Sequence, residues 1–189
     1  MSSDTKNALL DSAERAARTR GFDGFSYADL AADVGIRKAS IHHHFPTKAA
    51  LAVALMERYH DNLQSACAEL DAQNITGGAR LLTLIDRYRA AIDDGKSLCL
   101  CVSFSTSRQS LPPDVVAQMS RFRCMMIAWL TTAFVAGQTD DSIRSVSEPE
   151  AEAAATLSLV EGAQLSARAE ENPALFDSAL RLLRQRVQT

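Results

Sequence analysis

Residues 26–45 read SYADLAADVGIRKASIHHHF, and this stretch constrains the fold more than any other. Leu30, Ala31 and Val34 fall on one face of a helix that Ser26 is placed to cap, its hydroxyl accepting from an amide one turn on. Gly35 ends that helix. After about four residues a second one starts, and Pro46 closes it because proline disfavours α geometry in the residue before it. The spacing predicts a helix-turn-helix. Ala31 is small where the second helix crosses, Gly35 permits the backbone conformation of the turn, and Leu30, Val34, Ile36 and Ile41 fix the crossing angle. The second helix then presents Arg37, Lys38, Ala39, Ser40, His42 and His43 outward. Such a helix fits the major groove of DNA, about 12 Å wide, with its N-terminal residues nearest the base edges.

The remaining chain also reads at helical period, with no sustained alternation of a half-buried strand, so an all-α protein is expected. A first helix runs from Asp4 or Thr5 to Arg20 with Leu9, Ala13, Ala16 and Ala17 inward, and Phe22 and Phe25 follow as wedges in a small core. Thr47 caps a long helix over 47–72, whose end is marked by Asn74 to Gly78. Four or five more helices follow: ARLLTLIDRYRAAIDD, a shorter SLCLCVSFSTSRQ, and a long apolar one opened by LPPD. After the polar loop QTDDSIRSVS come EPEAEAAATLSLVEGAQLSARAE and a last helix with Asn172 as cap and Pro173 at its first position.

The stretch GFDGFSYADLAADVGIRKASIHHHFPTKAALAVAL resembles the TetR family of bacterial transcriptional regulators. That family's pattern runs Gly-Phe, a Thr or Ser cap, an Ile/Leu-Ala pair, Gly-Val/Ile, then Leu-Tyr-x-His-Phe-x-x-Lys, and it covers residues 8–56. CLCVSF, LPPDV, Trp129-Leu130 and SLVEGAQLSARAEENPALFDSALRLL look, more loosely, like the regulatory domain of many members. The resemblance implies a three-helix DNA-binding module over 1–46 and a ligand-binding and dimerisation domain over 47–189, joined by helix 47–72. It also implies a homodimer through the last two helices, matched to a palindromic operator on double-stranded DNA, and release by a small-molecule effector. Repression is the family default.

Arg37 and Lys38 are the leading base or phosphate readers, with Ser40 second, Lys48 a phosphate contact, and Ser26, Tyr27 and Thr47 backbone anchors. Three consecutive histidines invite a metal reading, but successive helical side chains are about 100° apart, so His42, His43 and His44 do not face one ion. In the resembling pattern His43 and His44 stand where His is common, and Phe45 packs into the core. His42 is the departure, because the family usually has Tyr there. Imidazole also donates to phosphate, but with a shorter reach and a charge that varies near neutral pH.

For the second domain, Phe104, Met119, Phe122, Met125, Met126 and Trp129 form an apolar lining, with Arg108, Arg121 or Arg123 as anchor for an anionic ligand. Aromatic and Met residues at helical spacing equally describe ordinary core. Cys67, Cys99, Cys101 and Cys124 lack paired CxxC spacing, which argues for buried thiols over a disulfide framework or zinc site. A sharper variant makes Cys99 or Cys101 a redox or electrophile sensor, and residues i and i+2 of a helix point apart, so no Cys99–Cys101 disulfide is expected.

Composition narrows the classes further. With 47% hydrophobic and 23% charged residues the chain is an ordinary globular one, not disordered or fibrous. Net charge is -3, divided as eight basic against seven acidic residues over 1–60 (+1) and twelve against sixteen over 61–189 (-4). No secretory signal or apolar run of membrane-spanning length is present, so a cytoplasmic location is expected. An enzyme is disfavoured: there is no Gly-rich phosphate loop, nucleophile elbow or helix with paired metal ligands, and His60 beside Asp61 has no third partner. No cofactor or metal is expected. An all-helical protein-interaction module is the remaining rival, and salt dependence separates it from a DNA binder.

Overall fold

The computed structural model describes Ser2–Gln188, and these residues form nine α-helices with no strand. They are α1 Ser2–Arg20, α2 Tyr27–Val34, α3 Lys38–His44, α4 Lys48–Ala72, α5 Gly77–Ala90, α6 Leu100–Ser105, α7 Pro113–Thr139, α8 Pro149–Ala169 and α9 Ala174–Gln185. A 3₁₀ turn, Asp93–Gly95, follows α5. Two compact bodies emerge: Met1–Asn62 with Leu100–Arg121, and Leu63–Cys99 with Phe122–Thr189.

In the first body the small apolar face of α1 allows close helix packing. Leu9, Ala13 and Ala17 are fully buried, and α1 packs against α2 and α6. Leu30, Ile41, Leu51, Leu55 and Met56 complete this core, each burial contributing about 1.5–3 kcal/mol for a large aliphatic side chain. Phe22 and Phe25 are buried as expected, and the Phe22 ring meets Phe104 edge-on at 5.7 Å. The Ser103 hydroxyl donates to the Ala17 carbonyl at 2.6 Å. From α4, Arg58 reaches Asp11 at 2.7 Å and Glu14 at 2.9 Å, tying the start of that long helix to α1.

In the second body α5 begins earlier than its composition suggests. Gly77 and Gly78, expected to mark a connection, form the first turn of the helix. Three of its amides are satisfied from outside the helix: Gly77 donates to Asp140 Oδ2 (2.9 Å), Gly78 to Ser142 Oγ (2.8 Å) and Ala79 to Thr76 Oγ1 (3.2 Å). Glycine is required at 77 for space, since a Cβ there would lie 2.1 Å from the Gly137 nitrogen of α7. The helix stops at Ala90, and Asp93 and Asp94 take positive φ in the turn beyond it.

The segment SLCLCVSFSTSRQ is helical only over six residues. Cys99 precedes that helix, its amide donating to the buried side-chain oxygen of Gln164 at 2.7 Å, so the expectation of both cysteines on one helix is corrected. α9 starts at Ala174, one residue later than expected, with Asn172 Oδ1 accepting from the Ala174 amide at 3.0 Å. α8 and α9 pack on each other, and Phe176, Leu180 and Leu183 of α9 and Leu157, Val160 and Ala163 of α8 are buried. The polar loop before α8 is pinned to the chain end: Arg144 N donates to Arg186 O and Gln188 N to Ser142 O, both at 2.8 Å.

Candidate nucleic-acid interface

The interface residues are placed by three helix starts in the first body. Ser26 holds extended geometry at the start of α2 and forms a capping box with Asp29. Its amide and hydroxyl donate to Asp29 Oδ2 at 2.6 and 2.7 Å. Those two donors hold the Asp29 carboxyl below the usual carboxylate range. Asp29 was missed in the sequence reading, although the Ser-x-x-Asp spacing carries the signal. At the other end Gly35 adopts φ 73°, and the amides of Gly35 and Ile36 both close on the Ala31 carbonyl.

That turn sets α3. Ile41 is fully buried and Phe45 nearly so, which turns Arg37, Lys38, Ala39, Ser40, His42 and His43 to solvent; His44 is half-buried. Among the described residues neither Arg37 nor Lys38 has a carboxylate partner. The Tyr27 hydroxyl donates to the Phe45 carbonyl at 2.9 Å, and burial pushes that phenol up to about 12. The His42 ring stands edge-on to Tyr27 with centroids 5.0 Å apart, and His42 Nδ1 lies 3.2 Å from the Pro46 carbonyl oxygen.

At the start of α4, Thr47 Oγ1 accepts from the Ala50 amide at 3.1 Å, as a cap should. Lys48 turns inward: its ammonium donates to the Phe25 carbonyl and sits 4.3 Å from the Phe25 ring and 4.8 Å from the Phe22 ring. Burial lowers its pKa, opposed by Asp23 and Asp29. Tyr27, buried, and Lys48, half-buried, therefore hold the module together. An ammonium has three donors, so the bond to Phe25 leaves Lys48 able to meet another acceptor. Phe25, Ser26, Tyr27, Lys38, His42, Thr47 and Lys48 together line one surface hollow of ≈ 300 Å³. Two ammonium groups, an imidazole and the Thr47 hydroxyl around such a hollow suit a phosphate oxygen.

The sequence pattern described as "Bacterial regulatory proteins, tetR family" matches residues 9–55, which span α1 to the first turns of α4. The HTH-type transcriptional repressor NemR of Escherichia coli (strain K12) is 27% identical over 182 residues, 94% of this chain and 90% of its own. The crystal structure of E. coli NemR in its reduced form superposes with a TM-score of 0.83 at 26% identity, covering 98% of each chain. A TetR-family transcriptional regulator from Agrobacterium tumefaciens matches with a TM-score of 0.92 and 30% identity over 100% of both chains. The chain belongs to the TetR family.

In this TetR-family regulator the residues expected to line a ligand site fall in both bodies. Phe104 and Arg108 are in the first, where Phe104 is fully buried and Arg108 exposed. Met119 is buried there too, and Arg121 is exposed, donating to Gln118 at 3.1 Å. In the second body Phe122 and Met126 are fully buried, Met125 half-buried, and Trp129 donates its indole N–H to both Asp71 oxygens at 3.1 and 3.2 Å. Arg123 is engaged by Glu161. These long-range partners, 38 and 58 residues away in the chain, leave no local mark in the sequence.

Cys99 and Cys101 are each 1% exposed, and burial pushes the Cys67 thiol up to about 11, while Cys124 is exposed. Among the described residues none of the four forms a disulfide. Among the described residues no group of three His, Cys, Asp or Glu side chains gathers where a metal would bind, and no helix is long and apolar enough to cross a membrane.

Proposed function

We propose that this TetR-family protein is a ligand-responsive repressor that binds a palindromic operator as a dimer and is released by a small-molecule effector. The observation that carries this reading is the clustering of Ser26, Tyr27, Lys38, His42, Thr47 and Lys48 around one hollow, beside the exposed Arg37 that precedes α3 and has no carboxylate partner among the described residues. Arg37, Lys38, Ala39 and Ser40 face the base edges, while His42, Thr47 and Lys48 contact the backbone. Ser26 and Tyr27 fix the start of α2 against it. Residues 1–46 form the DNA-reading module, residues 47–189 the effector and dimerisation domain, and helix 47–72 carries the change between them.

Dimerisation through α8 and α9 is supported by Leu159, Leu165 and Leu182, large apolar side chains exposed on those two helices, Leu182 at 72%. An isologous pairing of these faces presents two recognition helices to two half-sites. The effector acts by binding the DNA-free arrangement of the dimer more tightly than the DNA-bound one. The experiment is a genomic pull-down at about 0.15 M salt followed by anisotropy titration of the enriched fragment. A palindromic fragment bound in the nanomolar range supports the reading; no enriched fragment at any salt removes it.

A second reading, thiol or electrophile sensing through Cys99 or Cys101, is supported by the whole-length likeness to NemR, whose structure is described as a reduced form. The near-complete burial of both thiols weighs against it, because an attacking thiolate must be accessible. An unchanged electrophile response in Cys99→Ser removes Cys99 from this role, and the same test applies to Cys101.

A further inference from the structure

We infer that His42 is a proton-dependent phosphate contact: its imidazole donates to the DNA backbone only after taking up a proton, so affinity for DNA rises as pH falls. The inference rests on the DNA-binding reading above and adds to it a coupling between proton and DNA.

The argument begins at the ring nitrogens. His42 Nδ1 lies 3.2 Å from the carbonyl oxygen of Pro46. A carbonyl oxygen only accepts, so the hydrogen of that bond sits on Nδ1. In the neutral ring the other nitrogen, Nε2, then carries a lone pair and no hydrogen. Phosphate oxygens are acceptors as well, so neutral His42 meets a phosphate lone pair to lone pair. One proton on Nε2 converts it to a donor with a positive charge, and Nδ1 keeps its bond to Pro46. The ring is held for this role by two contacts, the Pro46 carbonyl and the edge of Tyr27 at 5.0 Å.

The surroundings place cations beside the ring and, among the described residues, pair no carboxylate with it. Lys38 lies one turn earlier on α3, and Lys48 at the start of α4 lines the same hollow. Both place an ammonium group beside the same hollow that His42 lines. His43, the next residue on α3, is exposed, and its ring meets His44 at 5.5 Å. From α2 the facing groups are Tyr27, whose hydroxyl is held neutral by burial and bonded to Phe45, and Asp29, whose carboxylate is engaged by Ser26. Asp23 acts on Lys48, and Lys6 of α1 lies 5.9 Å from the Phe45 ring on which the end of α3 rests. No carboxylate among the described residues pairs with His42. A phosphate is thus the anion that completes the set of Lys38, His42 and Lys48.

Phosphate contacts are independent of sequence, so the test needs no operator. The probe is a fluorescent mixed-sequence duplex of about 30 base pairs at about 50 mM salt, where non-specific contacts still bind. Wild type, His42→Tyr, His42→Gln and His43→Gln are titrated at about pH 6, 7 and 8, which spans the ordinary histidine range. Wild-type affinity is expected to fall about tenfold from pH 6 to pH 8, and His43→Gln to keep that fall. His42→Gln and His42→Tyr are expected to change by less than about twofold over the same range, with the Tyr hydroxyl restoring a pH-independent donor. An equal fall in wild type and His42→Gln, a flat wild type, or a fall abolished by His43→Gln overturns the coupling while leaving the DNA interface in place. Absence of binding by wild type at every pH overturns the interface itself, and the coupling with it.

Discussion

The recognition face and the second body use their cations in opposite ways. In the second body several arginines are tied to carboxylates: Arg80 to Asp71 at 3.1 Å, Arg89 to Asp177 at 2.8 Å, Arg184 to Asp86 at 2.6 Å, and Arg186 to Glu152 at 2.7 Å. At the start of α3 Arg37 and Lys38 are exposed and lack such partners among the described residues. Charges paired at home fix helices against one another; charges left open await an anion from outside. A net charge of -3 is compatible with binding a polyanion, because the acidic excess lies over 61–189 while the open cations Arg37 and Lys38 stand at the start of α3.

The largest test of this contrast is Trp129→Ala. It removes a nearly buried ring and leaves Asp71 without its indole donor, so the expected cost is about 3–5 kcal/mol in urea unfolding. Gly77→Ala comes next. The added methyl meets the α7 backbone, and a destabilisation of about 1–3 kcal/mol is expected by the same measurement.

Arg37→Ala reverses the pattern. Stability is expected to stay within about 0.5 kcal/mol of wild type, while operator binding weakens by about 1–3 kcal/mol in anisotropy titrations. A comparable loss of stability would erase the distinction between the two regions. Ser26→Ala tests the frame under the recognition face, with about 1 kcal/mol lost from stability as the α2 cap goes.

The smallest effect is on pH dependence, through Asp29. Its folded pKa lies below the unfolded value, so its contribution is fully present above the unfolded carboxylate pKa and is lost as pH falls through the folded one. Asp29→Asn is expected to flatten that acid limb in unfolding curves recorded between about pH 5 and pH 2.

Local rules made the helix-turn-helix legible. Ser26, Gly35, Pro46 and Thr47 act within four residues of where they stand, so the chain shows α2, α3 and the start of α4 before any packing is known. The outward set on α3 follows from helix period once Ile41 is buried. What stayed hidden depends on distant partners. Nothing near Gly77 shows that α7 will press on it, and nothing near Cys99 shows that Gln164 will take its amide and delay the helix. The inward turn of Lys48 was equally out of reach, because the Phe25 carbonyl that receives it lies 23 residues earlier. The apolar residues expected around an effector are mostly core in their own bodies, which composition alone does not separate from a lining.

The most direct measurement is the salt dependence of binding to the operator fragment recovered from genomic DNA, for wild type and Arg37→Ala. If α3 places its cations on phosphates and bases, log affinity falls steeply and linearly with log salt, and Arg37→Ala weakens binding and, where Arg37 meets a phosphate, lowers the slope by about one. A flat salt response, or a variant indistinguishable from wild type in both affinity and slope, would contradict the placement of the DNA contact on this face.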